Sequence, residues 1–90
     1  MRIDRYLHCV RLVRSRTRAQ ALIETGYVRI DGRRVEKPSE EVREGSVVAF
    51  PLNNRVRILR VLSLPARRSP PAEARLAYEE LGIDGANGAT

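Results

Sequence analysis

The sequence predicts an α+β fold in which two packed helices lie against a small, twisted, mostly antiparallel sheet, with a further helix near the C-terminus. Two observations support this prediction. Apolar residues recur at helical spacing through the first 25 positions, and beyond them they alternate in short runs separated by Gly, Pro and Asn. Ninety residues, 42% of them apolar, suffice for one domain with a small core.

The first helix is predicted over residues 4–13. Ile3, Leu7 and Val10 share one helical face, which would pack on the core. Asp4 stands at the start of this pattern, where a carboxylate can cap a helix or pair with a neighbouring Arg. Cys9, the only cysteine, is expected to be a small buried apolar residue.

The second helix is predicted over residues 16–25. Ser15 is a favourable N-cap and Gly26 a favourable C-terminal stop. The link between the two helices is so short that they must form a compact corner. The apolar face of this helix holds Ala19, Leu22 and Ile23.

Two hairpins are predicted to follow the helices. Asp31-Gly32 is a strong tight-turn signal between two short alternating runs. A second turn is expected at Pro51–Asn54, and the strand after it loses its alternation near Leu59, which indicates a bulge. The four predicted strands are Tyr27–Ile30, Arg33–Val35, Ser46–Phe50 and Arg55–Leu62.

The remaining sequence is predicted to be a linker at Pro65–Pro71, a helix over 72–81 ending at Gly82, and a disordered tail from Ile83 to Thr90. The chain is therefore divided into a domain of residues 1–64, a linker with a C-terminal helix at 65–82, and a tail at 83–90.

The positive charge lies in one part of the chain. Residues 1–37 hold ten basic and four acidic side chains, whereas residues 38–90 hold seven of each. The whole net charge of +6 therefore belongs to the first two-fifths of the sequence. Such segregation is typical of a protein that places one face on a polyanion.

Composition argues against several other functions. One Cys and one His cannot build a disulfide framework or a four-ligand zinc site, and there is no phosphate-binding loop or nucleophile motif. We therefore expect no enzyme activity, no metal and no cofactor. No apolar run is long enough to cross a bilayer and no signal peptide is evident, so we expect a cytoplasmic, monomeric protein that does not bind membranes.

The basic residues are placed to form a phosphate-binding surface. Arg14, Arg16 and Arg18 surround the predicted start of the second helix, where free backbone amides and the positive end of the helix dipole favour an anion. The hairpin adds a second basic group, Arg33, Arg34 and Lys37. In contrast, Arg55, Arg57 and Arg60 are expected to be the solvent face of a strand.

These residues form an ordered pattern. Asp31-Gly32 and Lys37-Pro38-Ser39 follow the run Ser15-Arg16-x-x-Ala19-x-x-Leu22-Ile23-x-x-Gly26-x-Val28. The pattern resembles the RNA-binding domain named for ribosomal small-subunit protein S4, whose fold is called the αL motif. Tyr78-Glu79-Glu80 and the stretch Arg67-Arg68-x-Pro70-x-Ala72-Glu73 further resemble the ribosome-associated heat-shock protein fifteen family.

The resemblance implies a non-catalytic protein that binds structured rRNA, with tRNA as a further candidate. That family binds the large ribosomal subunit carrying a stalled nascent chain on tRNA and is thought to help recycle it. Together, residues and resemblance give one candidate RNA-binding set: Arg2, Arg5, Arg14, Ser15, Arg16, Thr17, Arg18, Arg33, Arg34 and Lys37.

Two alternatives remain open at this point. The chain is also compatible with an RNA-targeting fragment or subunit of an RNA-modifying enzyme such as a pseudouridine synthase. DNA binding would use the same charge, but sequence-specific readout of base edges is the less favoured alternative.

Overall fold

The computed structural model describes residues 1–84 and has an α+β fold, as predicted. Two helices, α1 and α2, precede a five-stranded antiparallel sheet of order β2-β1-β3-β4-β5. A short helix, α3, and one turn of 3₁₀ helix at Arg75–Ala77 separate β4 from β5. The bounds are α1 Ile3–Cys9, α2 Arg16–Glu24, β1 Arg29–Ile30, β2 Arg33–Arg34, β3 Val47–Leu52, β4 Arg55–Val61, α3 Pro71–Ala74 and β5 Tyr78–Asp84.

The first helix is shorter than the sequence predicts. It ends at Cys9 because the backbone of Arg11 turns to φ 63°, after which the amide of Leu12 bonds back to the carbonyl of Leu7 at 3.0 Å. This turn buries Leu12 instead of continuing the helix into solvent. Asp4 is not the N-cap: that position belongs to Arg2, without a side-chain hydrogen bond.

The second helix agrees closely with the prediction. Ser15 is its N-cap, and its hydroxyl accepts a hydrogen bond from the amide of Arg18 at 3.1 Å. Gly26 follows the helix with φ 86°, a left-handed conformation that glycine adopts at little cost. Of the predicted apolar face, Ala19 and Ile23 are buried and Leu22 packs at the edge of the core.

Both predicted hairpins are confirmed. Asp31 and Gly32 both have positive φ, which matches the twist of the strands they join. The second turn is shorter than predicted, because β3 continues to Leu52 and only Asn53 and Asn54 turn the chain. The predicted bulge is observed where the register between β4 and β5 shifts at Ile58/Leu59.

The predicted helix over residues 72–81 is wrong beyond its first turns. A helix does begin at the second proline of the pair, Pro71, but Tyr78–Asp84 forms β5 and pairs with β4. Opposite charges on β4 and β5 explain this outcome. Their attraction stabilises the pairing of the two strands more than the local sequence favours a helix. The cross-strand pairs are Arg57–Glu80 at 2.6 Å and Arg60–Glu79 at 3.1 Å.

The tail prediction is also partly wrong, because Ile83 and Asp84 belong to β5. The rest of the predicted tail, 85–90, lies outside the described residues. No helix within residues 1–84 is long and apolar enough to cross a membrane. The division of the chain at residue 64 remains a prediction.

A single hydrophobic core lies between the helices and one face of the sheet. Ile3, Leu7 and Val10 are buried in it, as their spacing predicts, and Tyr6 of α1 joins them. Cys9 is buried as well. The hydroxyl of Tyr6 donates a hydrogen bond to the carbonyl of Ala77 at 3.0 Å, which ties α1 to the segment before β5. The sheet completes the core with Val48, Phe50, Leu59 and Val61.

Candidate nucleic-acid interface

The start of α2 is the centre of the candidate site. Because α1 ends at Cys9, the link to α2 covers residues 10–15 and is longer than predicted, with Arg14 and Ser15 at its end. Arg16, Thr17 and Arg18 form the first turn of α2, and all three are exposed. Ser15 accepts from the amide of Arg18. Within residues 1–84 the amides of Arg16 and Thr17 have no acceptor, which leaves two open donors at the helix start, where an anion is favoured.

A buried carboxylate organises one side of this site. Asp4 has no solvent-exposed side-chain surface, and its Oδ2 lies 3.0 Å from Nη2 of Arg2 and 3.3 Å from Nη2 of Arg16. Gln20 donates to the same oxygen at 3.2 Å, and the amide of Arg5 donates to Oδ1 at 2.7 Å. The prediction that Asp4 pairs with a neighbouring Arg is therefore confirmed for Arg2 and Arg16.

These donors keep Asp4 ionised. Burial alone would raise the pKa of its carboxyl, but the hydrogen bonds from Gln20, Arg2, the Arg5 amide and Arg16 together lower it below its ordinary value. The side chains of Arg2 and Arg16 remain 46% and 45% exposed. One edge of each guanidinium is thus anchored, and the rest faces solvent beside the start of α2.

Arg14 and Arg18 differ from Arg2 and Arg16 in having no acidic partner. Both are exposed, and neither forms an ion pair with any side chain in the described part of the chain. Their charges are therefore fully available to an external anion. Arg5, also exposed, donates to the carbonyl of Ala66 and is committed to holding the segment after β4.

The hairpin residues lie apart from the start of α2. Arg34 packs over the opposite end of that helix, since a Cβ placed at Gly26 would lie 2.9 Å from its Nη2. Arg33 forms an ion pair with Glu40 at 2.7 Å. Arg34 therefore lies at the far end of α2 from Arg14, Arg16 and Arg18, and the role of the hairpin in binding remains a prediction.

Glu40 reduces the positive charge at the hairpin. Its carboxylate accepts from Arg33 and from the backbone amides of Glu36 and Lys37, and these bonds lower its pKa. The loop that carries Glu40 also caps the N-terminal end of α1, because the carbonyls of Pro38 and Glu40 accept hydrogen bonds from the first two amides of that helix. Lys37 itself is exposed at this loop.

Of the three arginines of β4, Arg55 and Arg60 are exposed as predicted, whereas Arg57 is half-buried. Arg57 pairs with Glu80 and lies 5.9 Å above the ring of Phe50, and Arg60 pairs with Glu79. Among the described residues no group of three or more His, Cys, Asp and Glu side chains is arranged to hold a metal ion.

Sequence reasoning missed two cations near the site. They are Arg11 and Arg68, which line one cleft with Arg14 and Arg18. Arg11 and Arg68 are 57 positions apart in the chain. The contact of residues 66–69 with the end of α1 brings them together, and no local pattern predicts that contact. The pair Arg67-Arg68 in the linker was the only signal.

The family model of the S4 domain matches residues 1–48. Heat shock protein 15 of Escherichia coli is 34% identical over 80 residues, which cover 89% of this chain and 59% of that protein. The chain thus spans somewhat more than half the length of this relative. Small ribosomal subunit protein uS4 of Limosilactobacillus fermentum is 38% identical over 48 residues, covering 53% of this chain and 24% of that protein.

The structural comparison extends the likeness beyond the S4 domain. A trimeric structure of Vibrio cholerae heat shock protein 15 superimposes with a TM-score of 0.84 at 26% sequence identity. The match covers 91% of this chain and 82% of that one, so it extends well beyond residues 1–48.

Proposed function

Because the chain belongs to the S4 domain family, we propose that it is a non-catalytic protein that binds structured RNA through the start of α2. One observation carries this proposal: within residues 1–84, Arg14 and Arg18 are exposed without acidic partners beside two backbone amides that lack an acceptor. Such a surface suits phosphate groups, which fix the position of a protein on RNA without reading its sequence.

The proposed contact set extends from the start of α2 to the start of α1. Arg2 and Arg16 add two half-exposed guanidinium groups whose orientation is fixed by Asp4. A guanidinium that is already held loses less conformational entropy when it binds a phosphate. Ser15 acts by capping α2, and Thr17 is the exposed neighbour of the two open amides.

The hairpin residues have a smaller proposed role. Arg34 and Lys37 are exposed and available, whereas Arg33 must leave or share Glu40 to meet a phosphate. Arg5 is placed among the contacts because its side chain is exposed, although part of it holds Ala66. We expect these four to contribute less than the residues around the start of α2.

The proposed target is the large ribosomal subunit, in the rescue or recycling of subunits that carry a nascent chain on tRNA. The likeness to heat shock protein 15 over 89% of the chain supports this assignment. A cytoplasmic location follows from the same proposal. The monomer remains a prediction, and sedimentation equilibrium would distinguish it from the trimer described for the Vibrio cholerae protein.

Cosedimentation with separated ribosomal subunits tests this proposal. Wild-type protein should pellet with large subunits, more so when they carry peptidyl-tRNA, and should remain in the supernatant with small subunits. The variant Arg14→Gln/Arg18→Gln should lose most of this binding, because both changes remove unpaired charge. Equal binding to both subunits would contradict the choice of target, and no binding to either would contradict the proposed function.

A further inference from the structure

A cleft of about 550 Å³ lies beside the link between α1 and α2, and its charged lining is entirely basic. We call it the basic cleft. Leu12, Val13 and Leu52 form its apolar floor, and Asn53 stands at its rim on the turn between β3 and β4. Its four charged residues are Arg11, Arg14, Arg18 and Arg68.

Two of these arginines are held in place by the backbone. Nε of Arg11 donates to the carbonyl of Ser69 at 2.6 Å, and Nε of Arg68 donates to the carbonyl of His8 at 3.2 Å. In both, the terminal nitrogens have no hydrogen-bond partner among the described residues. Each guanidinium is thus oriented by one donor and has its remaining donors free, as bidentate phosphate recognition requires.

The segment that carries Arg68 is fixed against α1. The amide of Ser69 donates to the carbonyl of Cys9 at 3.1 Å, and Arg5 holds the carbonyl of Ala66. Arg11 adopts φ 63°, a conformation that is unfavourable for a residue with a side chain. Arg11 therefore combines a strained backbone with a side chain whose Nε is bonded to the carbonyl of Ser69.

Four like charges around one cleft repel one another in the absence of an anion. The described residues place no carboxylate in the lining to offset them. The pKa of His8 is lowered, first by burial and then by the positive charges of Arg68, Arg16 and Arg11, which is consistent with a positive potential here. An external polyanion would relieve this repulsion.

We propose that the basic cleft binds the sugar-phosphate backbone of RNA, with Arg11 and Arg68 as direct phosphate contacts. The inference rests on the proposed function and deepens it, because it adds the segment after β4 to an interface otherwise built from residues 1–37. The cleft is continuous with the start of α2 through Arg14 and Arg18, so one strand can pass from the open amides into it. Asn53 adds a neutral donor at the rim.

The test compares two double variants of the full chain by fluorescence anisotropy on a labelled, folded tRNA. The variant Arg11→Gln/Arg68→Gln removes two charges from the cleft. The control variant, Arg43→Gln/Arg55→Gln, removes two exposed charges that lie outside the cleft and form no ion pair within residues 1–84. The cleft variant should lose at least tenfold in affinity and the control less than about threefold, with the salt slope of log K reduced by roughly 1.4–1.8 in the cleft variant if two phosphate contacts are lost.

A third variant, Arg11→Lys/Arg68→Lys, separates charge from structure. It keeps both charges and loses the planar fork, so its salt slope should stay near that of the wild type even if its fold is loosened. A cleft variant that matches the control in affinity and slope would overturn the inference while leaving the proposed function intact. If the wild type binds large subunits but not free tRNA, the same variants are compared by cosedimentation with large subunits, with the same expected and contradicting outcomes. Failure of the wild type to bind both would overturn the proposed function itself.

Discussion

Asp4 and Arg16 connect the first turn of α1 to the first turn of α2, with Oδ2 of Asp4 lying 3.3 Å from Nη2 of Arg16. The carboxylate is buried and the guanidinium is half exposed. Asp4 therefore serves the fold and the site together, because it fixes the helix corner and orients a proposed RNA contact. Removing the carboxylate should affect both properties.

Asp4→Asn should lower the free energy of unfolding by roughly 2–3 kcal/mol, because Arg2 and Arg16 lose a charged acceptor and the new amide presents hydrogens to them. Urea unfolding measures this difference. Glu24→Gln is the control, since Glu24 is exposed at the end of α2 and forms no ion pair within residues 1–84. A loss no larger than that of the control would contradict the role of Asp4 in the corner.

The stability contributed by Asp4 should disappear in acid. Its pKa in the folded chain lies below the ordinary value of 3.8, so the folded state binds fewer protons than the unfolded state in this range. The contribution is present in full above the unfolded value and is lost as pH falls through the folded one. Unfolding of wild type and Asp4→Asn, compared from neutral pH to about pH 2, should give converging stabilities. A constant difference would contradict this sign.

Tyr6→Phe should cost about 1 kcal/mol, the usual net value of one buried hydrogen bond. The loss stays modest because the carbonyl of Ala77 keeps its bonds from the amides of Leu62 and Ser63. Tyr27→Phe is the matched control, since the Tyr27 side chain is exposed. Thermal unfolding of the two variants measures the difference, and equal midpoints would show that the Tyr6 hydroxyl does not stabilise the fold.

The sequence predicts α2 and the first hairpin well because the signals that specify them are local. Ser15, Gly26 and the Asp31-Gly32 turn each require a backbone conformation that short-range chemistry specifies. Helix α1 is mispredicted at its end because the burial of Leu12 and the turn at Arg11 depend on contacts with later residues.

The C-terminal error has the same origin. Tyr78-Glu79-Glu80-Leu81 favours a helix locally, but β4 offers a free edge and two arginines to this segment. The candidate site shows the same limit. Its predicted centre at the start of α2 depends on neighbouring residues, whereas the approach of Arg68 to Arg11 depends on the path of the chain after β4.

RNA binding should raise the pKa of His8. The chain has one histidine, so its imidazole signal can be followed by NMR without assignment ambiguity. Burial and the charges of Arg68, Arg16 and Arg11 lower its pKa in the free protein, and phosphates placed against these arginines would offset their field. An unchanged or lower pKa in the complex would indicate that RNA binds away from these residues.

The salt dependence of RNA affinity tests most directly the claim that this basic face binds phosphates. If five to seven cations contact the backbone, log K should fall with log salt concentration with a slope of roughly 4 to 6, at 0.7–0.9 per contact. Arg14→Gln/Arg18→Gln should reduce that slope by roughly 1.4–1.8, the contribution of two phosphate contacts. An affinity that hardly changes with salt would contradict the account.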